Sequence, residues 1–220
     1  MRWCGLLILL LLIVSGCSPR NNHPAARNGV QHQPSRPVQP TAPGLPGKVY
    51  VQGDSLTRHS AKSLRKYLSP SLVWVSARGG RRTSKGLQTI RTVAARHQLP
   101  EAVVVGLGTN DHTDDSGVRK FRHQAKQILD LIGPNRCVVW IDLYKRPNLG
   151  KHAGAYYAPL NRVLQELQAT HPNLLIQHWS RVAADHLAWF PYGNPHPSKA
   201  GYDQRSRGTV NVLHSCPRSV

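Results

Sequence analysis

From residue 49 onward, short unbroken apolar runs alternate regularly with longer stretches of helical periodicity, and no other feature constrains the fold of this chain as strongly. The runs are Val49-Tyr50-Val51, Leu72-Val73-Trp74-Val75, Ala102-Val103-Val104-Val105, Cys137-Val138-Val139-Trp140-Ile141 and Leu174-Leu175-Ile176. Ala102–Val105, bounded by Glu101 and Gly106, suits a strand buried on both faces. Between the runs lie helical stretches. One carries Leu56, Leu64 and Leu68, and a second carries Leu87, Ile90, Val93 and Ala94. Two more span about 118–132 and about 155–169. Strands alternating with helices predict a three-layer α/β/α domain around a central five-stranded, mostly parallel sheet of flavodoxin-like type. In such sheets, sites form at the carboxyl ends of the strands.

Four motifs can be tested against that rule. Gly53-Asp54-Ser55-Leu56 follows the first strand directly. A Ser at a strand-to-helix junction, beside a Gly that permits a tight turn, presents its hydroxyl at the sheet edge. A helix N-terminus behind it supplies N–H donors and positive potential, although Asp and Ser are also common plain helix caps. Ala77-Arg78-Gly79-Gly80-Arg81-Arg82 follows the second strand, where a Gly N–H can face the same pocket. Gly106-Leu107-Gly108-Thr109-Asn110-Asp111 follows the third, and Asn110 offers a side-chain amide to developing negative charge. Asn194-Pro195-His196-Pro197-Ser198, followed by Gly201-Tyr202, holds a His between prolines in a late loop.

Taken in this order, the four motifs resemble the SGNH or GDSL family of serine esterases and acyltransferases over residues 49 to about 203. The resemblance implies an SGNH-hydrolase-like fold with Ser55 as nucleophile and His196 as base. The N–H groups of Ser55 and Gly80 and the amide of Asn110 would form the oxyanion hole. Gly80 is preferred to its neighbour Gly79 because Gly80-Arg81 fits the family's loop slightly better. The implied reaction is ester hydrolysis on an acylated carbohydrate or lipid ester. Transfer of the acyl group to a cell-wall or envelope carbohydrate is the alternative. The sequence departs from the family at one place: an Asp usually stands three residues before the His and fixes its tautomer, but here that residue is Gly193. The expectation is a Ser–His dyad, with Asp185, Asp203 or a backbone carbonyl as the candidate groups to orient the imidazole. A catalytically weak, envelope-binding lipoprotein is the non-enzymatic alternative.

The first twenty residues have the layout of a secretory signal. Arg2 is followed by an apolar run to Val14 that is short for a membrane span, and then by small residues. Val14-Ser15-Gly16-Cys17 resembles a bacterial lipobox, with Val14 where Leu is usual. The resemblance implies that residues 1–16 are removed and that Cys17 carries acyl chains such as palmitate, anchoring an exported protein to the cell envelope. Residues 17–47, rich in Pro, Asn, Gln and Arg, read as a disordered tether. The domain is then 48–220, expected to be a monomer.

Charge enters last. The formal net charge is +19, from 29 Lys and Arg against 10 Asp and Glu. Every acid lies after residue 47 and only four of the bases precede it, so the excess belongs mainly to the domain. Such a field favours anionic partners. No specific nucleic acid is implied, because the bases are scattered and no nucleic-acid-binding motif accompanies them. No metal-binding spacing or cofactor motif is present despite 12 His. Cys137 and Cys216 remain once Cys4 and Cys17 are set aside, and either a disulfide or a plain buried thiol at Cys137 is compatible with the sequence.

Overall fold

The computed structural model describes residues 44–147 and 156–217. The expected signal segment, the lipidation residue Cys17 and the tether up to residue 43 lie outside the described residues. Residues 44–47, assigned to the tether by composition, join the fold. Leu45 packs against the core, Pro46 is buried, and the Gly47 carbonyl accepts from Leu72 N–H at 2.9 Å.

Five strands form one sheet: β1 (Lys48–Gly53), β2 (Leu72–Ala77), β3 (Ala102–Gly106), β4 (Cys137–Ile141) and β5 (Leu174–Gln177). Their order is β2-β1-β3-β4-β5, and every neighbouring pair is parallel. The expected sheet is therefore present, and wholly parallel. The chain starts at β1, steps out to the β2 edge and returns past β1 to β3. The connections leaving β1 and β3 thus run to opposite faces and open a crevice between those strand ends, where ligands bind in sheets of this kind.

Right-handed crossovers fix which helix covers which face. Helices α2 (Thr83–Ala95), α3 (Asp115–Ile132) and α4 (Ala158–Thr170) cover one face. Their core holds Ile90, Phe121, Ile128 and Leu164 against Val103, Val105 and Trp140. Helices α1 (Ser55–Leu68), α5 (Trp179–Ala184) and α6 (Lys199–Leu213) cover the other, where Leu64, Leu68, Trp179 and Leu213 meet Val49, Val51, Val104 and Val139. Alternate residues of β3 feed the two cores, as a period of two requires. β2, at the edge, is only half covered, leaving Leu72 and Trp74 exposed.

Helix α6 carries no apolar periodicity because the face it buries is largely polar: Arg205, Ser206 and Thr209 are each 3% exposed or less. It docks by hydrogen bonds alongside the apolar Val210 and Leu213. Gln177, at the end of β5, donates to the Arg205 carbonyl at 2.8 Å and accepts from Thr209 Oγ1 at 2.5 Å. A disulfide between Cys137 and Cys216, with Cα atoms 5.6 Å apart, ties the end of the chain beyond α6 to the start of β4. That settles the pairing left open by the sequence.

Candidate active site

Ser55 is the first residue of α1, directly beyond the end of β1. Asp54 caps the helix, its Oδ1 accepting from Leu56 N–H at 2.9 Å. The Asp54 N–H donates to the Gly106 carbonyl at 3.3 Å, binding the turn to the end of β3. The two glycines here are required by space. A Cβ on Gly53 would lie 2.0 Å from Thr57 Oγ1, and one on Gly106 would lie 2.4 Å from the same atom. Glycine thus lets α1 begin hard against both strand ends, which holds the Ser55 hydroxyl at the crevice.

Ser55 Oγ lies 3.1 Å from His196 Nε2. His196 stands in the loop between the 3-10 turn Leu187–Trp189 and α6. Asn194 Oδ1 accepts the His196 N–H at 2.9 Å, Trp189 O accepts from Ser198 N–H at 2.6 Å, and Ser198 caps α6. Burial, followed by the neighbouring charges of His59 and Arg58, holds the His196 imidazole below the ordinary histidine value, so the neutral form is favoured.

The other imidazole nitrogen, Nδ1, lies 2.7 Å from the hydroxyl of Tyr202, one turn into α6. None of the expected orienting groups makes this contact. Asp203 accepts from Tyr67 Oη at 2.6 Å and Arg207 Nε at 3.0 Å instead. Asp185 ends α5, and among the described residues no backbone carbonyl bonds the ring. Gly193 has φ +67°, a left-handed conformation that glycine adopts without strain. Burial pushes the Tyr202 hydroxyl up to about 12, so it is a neutral phenol across the ordinary pH range. The arrangement is therefore a Ser–His–Tyr chain. Tyr202 follows the His196 motif in the sequence with nothing in its own pattern to mark a role. The available signal was Ser198, a good helix cap that places Tyr202 one turn on, facing back toward His196.

Gly80 occupies the third position of a turn, Arg78 to Arg81, closed by Arg81 N–H to Arg78 O at 3.3 Å. Its φ is +66°, and a Cβ there would meet nothing within 4 Å. The requirement for glycine is therefore in the backbone, as at the third position of a type II turn. Among the described residues neither Ser55 N–H nor Gly80 N–H has a protein acceptor. Asn110 reaches the same crevice, but its amide is engaged, donating to Asp54 Oδ2 and to Arg81 O, each at 3.2 Å. Both bonds are at the long end of the range. Asp111 clamps this loop to α2, accepting from Thr83 N–H at 3.0 Å and Thr83 Oγ1 at 2.6 Å.

Arg205 carried no sequence signal. It is 3% exposed, and its Nη2 would lie 3.2 Å from a Cβ on Gly106. Burial pushes the fully buried Asp54 carboxyl up, while the charge of Arg205 and the N–H groups of Leu56 and Thr57 pull it back. The guanidinium thus offsets a buried carboxylate directly beneath the nucleophile. Around it, Gln52 Nε2, Thr57 Oγ1 and Arg205 Nε are buried with no protein partner among the described residues.

A hydroxyl beside an imidazole, at a helix N-terminus with two unengaged N–H groups nearby, can attack a carbonyl carbon and receive the resulting oxyanion. Comparison with known proteins agrees with that chemistry. A sequence profile described as the GDSL-like Lipase/Acylhydrolase family matches residues 44–204. No curated protein matches the chain in sequence. Among solved structures, the chain is similar to the C-terminal catalytic domain of a peptidoglycan O-acetyltransferase from Streptococcus pneumoniae. That match has TM-score 0.63 and 17% identity, and covers 78% of this chain and 95% of that one. A lipase/acylhydrolase from Enterococcus faecalis matches with TM-score 0.60 and 20% identity, covering 79% of this chain and 99% of that one. The psychrotrophic esterase EstA from Pseudoalteromonas sp., inhibited by monoethylphosphonate, matches with TM-score 0.59 and 14% identity, covering 77% and 97% respectively.

Proposed function

The chain belongs to the GDSL-like lipase/acylhydrolase family and is an ester-acting hydrolase; from that premise we propose that Ser55 is its nucleophile and His196 its general base. The observation that carries this reading is the 3.1 Å approach of Ser55 Oγ to His196 Nε2, between residues 141 apart in sequence. His196 accepts the hydroxyl proton as Oγ bonds to the ester carbonyl carbon. The alcohol then leaves with that proton, and water, activated by the same imidazole, releases the acid. The oxyanion is received by the N–H groups of Ser55 and Gly80. Asn110 joins them by exchanging its long bond to Arg81 O. Each donor of this kind lowers a barrier by about 3–4 kcal/mol.

Tyr202 accepts from Nδ1–H in the tautomer that leaves Nε2 free to take the Ser55 proton. Being neutral, it orients the ring without the charge that an Asp would bring to the imidazolium. A phenol can also donate to Nδ1, which selects the opposite tautomer and puts an N–H against Ser55. The base is therefore competent but less strongly committed than in a carboxylate triad.

The substrate reading is a carboxylic or O-acetyl ester at the bacterial cell envelope, reached by a protein anchored through Cys17. Two features support it: the lipobox-like segment 14–17, and the Cys137–Cys216 disulfide, of a kind that persists in oxidising, exported compartments. A second reading, acyl transfer to an envelope carbohydrate, is favoured by the likeness to the peptidoglycan O-acetyltransferase domain. In it a sugar hydroxyl takes the place of water. Assays with p-nitrophenyl acetate, alone and with a carbohydrate acceptor, test both readings. The hydrolase reading expects acetate release that Ser55→Ala abolishes. Acetylated acceptor formed in preference to free acetate would establish transfer, and equal rates for wild type and Ser55→Ala would overturn both.

A further inference from the structure

A groove of about 570 Å³ runs from Gly80 along α2, within the size range of ligand clefts. Arg78, Arg81 and Lys85 line it together with Gln88 and Thr89, and no acid does. Among the described residues none of the three cations has an ion-pair partner. Three cations and no acid thus share one concavity.

Arg81 is held in place before any ligand arrives. Its Nη1 donates to Ser76 O at 2.7 Å, and to Gly53 O and Ser76 Oγ at 3.2 Å each. Its remaining donors have no protein acceptor among the described residues, so the side-chain ordering cost of binding is reduced in advance. Across the loop, Arg58 lies against Gly79, where a Cβ would come 3.9 Å from its Nη1. The groove adjoins the active-site loop through Gly80 and Arg81. Gly80 lines it and offers its N–H to the oxyanion, while the Arg81 carbonyl touches Asn110.

Val93 is the one aliphatic side chain in the lining, and the rest is contributed by glycines and by polar or charged side chains. Gln88, Thr89 and Lys85 suit hydroxyl and anionic oxygen. We propose that this groove is a subsite for a negatively charged, hydroxyl-bearing polymer segment on the alcohol side of the substrate ester, its anion being a sugar carboxylate or a polyol phosphate. The proposal rests on the reading of Ser55 as nucleophile for its direction along the molecule. Binding itself is measured without turnover.

The experiment uses the full chain carrying Ser55→Ala, titrated calorimetrically with three probes: a galacturonate trimer, a glycerol-phosphate trimer and neutral galactotriose. At least one anionic trimer is expected to bind about tenfold tighter than galactotriose, the scale of one charged hydrogen bond. Which of the two binds identifies the anion. Arg78→Gln with Lys85→Gln is expected to remove the preference. Arg119→Gln with Lys120→Gln, an equal loss of charge on exposed positions of α3, is expected to keep it. Equal affinity for charged and neutral trimers, survival of the preference without Arg78 and Lys85, or equal loss in both double variants would each overturn the groove. Because these outcomes are read as binding to unesterified probes, they are independent of the p-nitrophenyl assay, whose failure would strike the catalytic reading and the alcohol-side direction but leave the anion preference standing.

Discussion

The two halves of the active site are built by different means. The nucleophile half, Gly53 to Ser55 with Gly106 to Asn110, rests on the ends of adjacent parallel strands. Its glycines are dictated by contacts as close as 2.0 Å, and its helix starts on an Asp cap. The base half is a loop between the short 3-10 turn Leu187–Trp189 and α6. It is fastened by the Asn194 side chain, turned by a left-handed Gly193, and oriented by a tyrosine on a helix that docks through polar contacts. Position in the first half follows from sheet geometry. In the second it follows from a chain of remote hydrogen bonds. Substitutions in the first half should therefore act on chemistry, and those in the second on how well the base is held.

The largest effect falls where the halves meet. Ser55→Ala abolishes ester turnover, and His196→Ala lowers kcat/KM by about 10²–10⁴ through loss of the base, read in steady-state assays on p-nitrophenyl acetate. Equal stability of both variants in thermal unfolding would place the whole loss on chemistry. Next comes the support shared by both halves. Arg205→Met removes the buried cation whose charge partly opposes the burial of the Asp54 carboxyl and lowers stability by about 1–3 kcal/mol, measured by denaturant unfolding. A neutral result would show that Asp54 needs no such partner.

Smaller effects separate a positioning role from a merely structural one. Tyr202→Phe removes a neutral hydrogen bond worth about 1 kcal/mol, so kcat falls several-fold with KM unchanged. A rise in KM alone would instead indicate a substrate contact. Last is the pH profile. His196 is held below its ordinary value by burial, His59 and Arg58, and the reaction needs its neutral form. The acid limb of kcat/KM is thus expected below the ordinary histidine range. Gly193→Asp places a carboxylate where it favours the imidazolium, which moves the limb to higher pH. The left-handed φ costs the new side chain about 1 kcal/mol, so the gain in rate is modest and the limb is the clearer readout.

The same contrast explains what was legible in the sequence. Five apolar runs and four intervening helices were readable because burial in a doubly covered sheet demands continuous apolar character. Ser55, Gly80 and Asn110 were readable because each follows a strand. Helix α6 was invisible, since Arg205, Ser206 and Thr209 occupy the positions that hydrophobic periodicity would fill. Without α6, neither Tyr202 nor Arg205 could be given a partner. The sequence then offers the carboxylates Asp185 and Asp203 and backbone carbonyls as the orienting groups. The engagement of Asn110 with Asp54 and Arg81 was also out of reach, because it depends on how closely two loops approach.

The central claim is that Ser55 is a nucleophile activated by His196, and covalent trapping tests it most directly, whatever the natural substrate. Incubated with a monoethylphosphonate ester and examined by intact and peptide mass spectrometry, the protein is predicted to gain one adduct, on Ser55, at a rate that His196→Ala sharply reduces. An adduct on another residue, or labelling at Ser55 that proceeds equally fast without His196, would contradict the account.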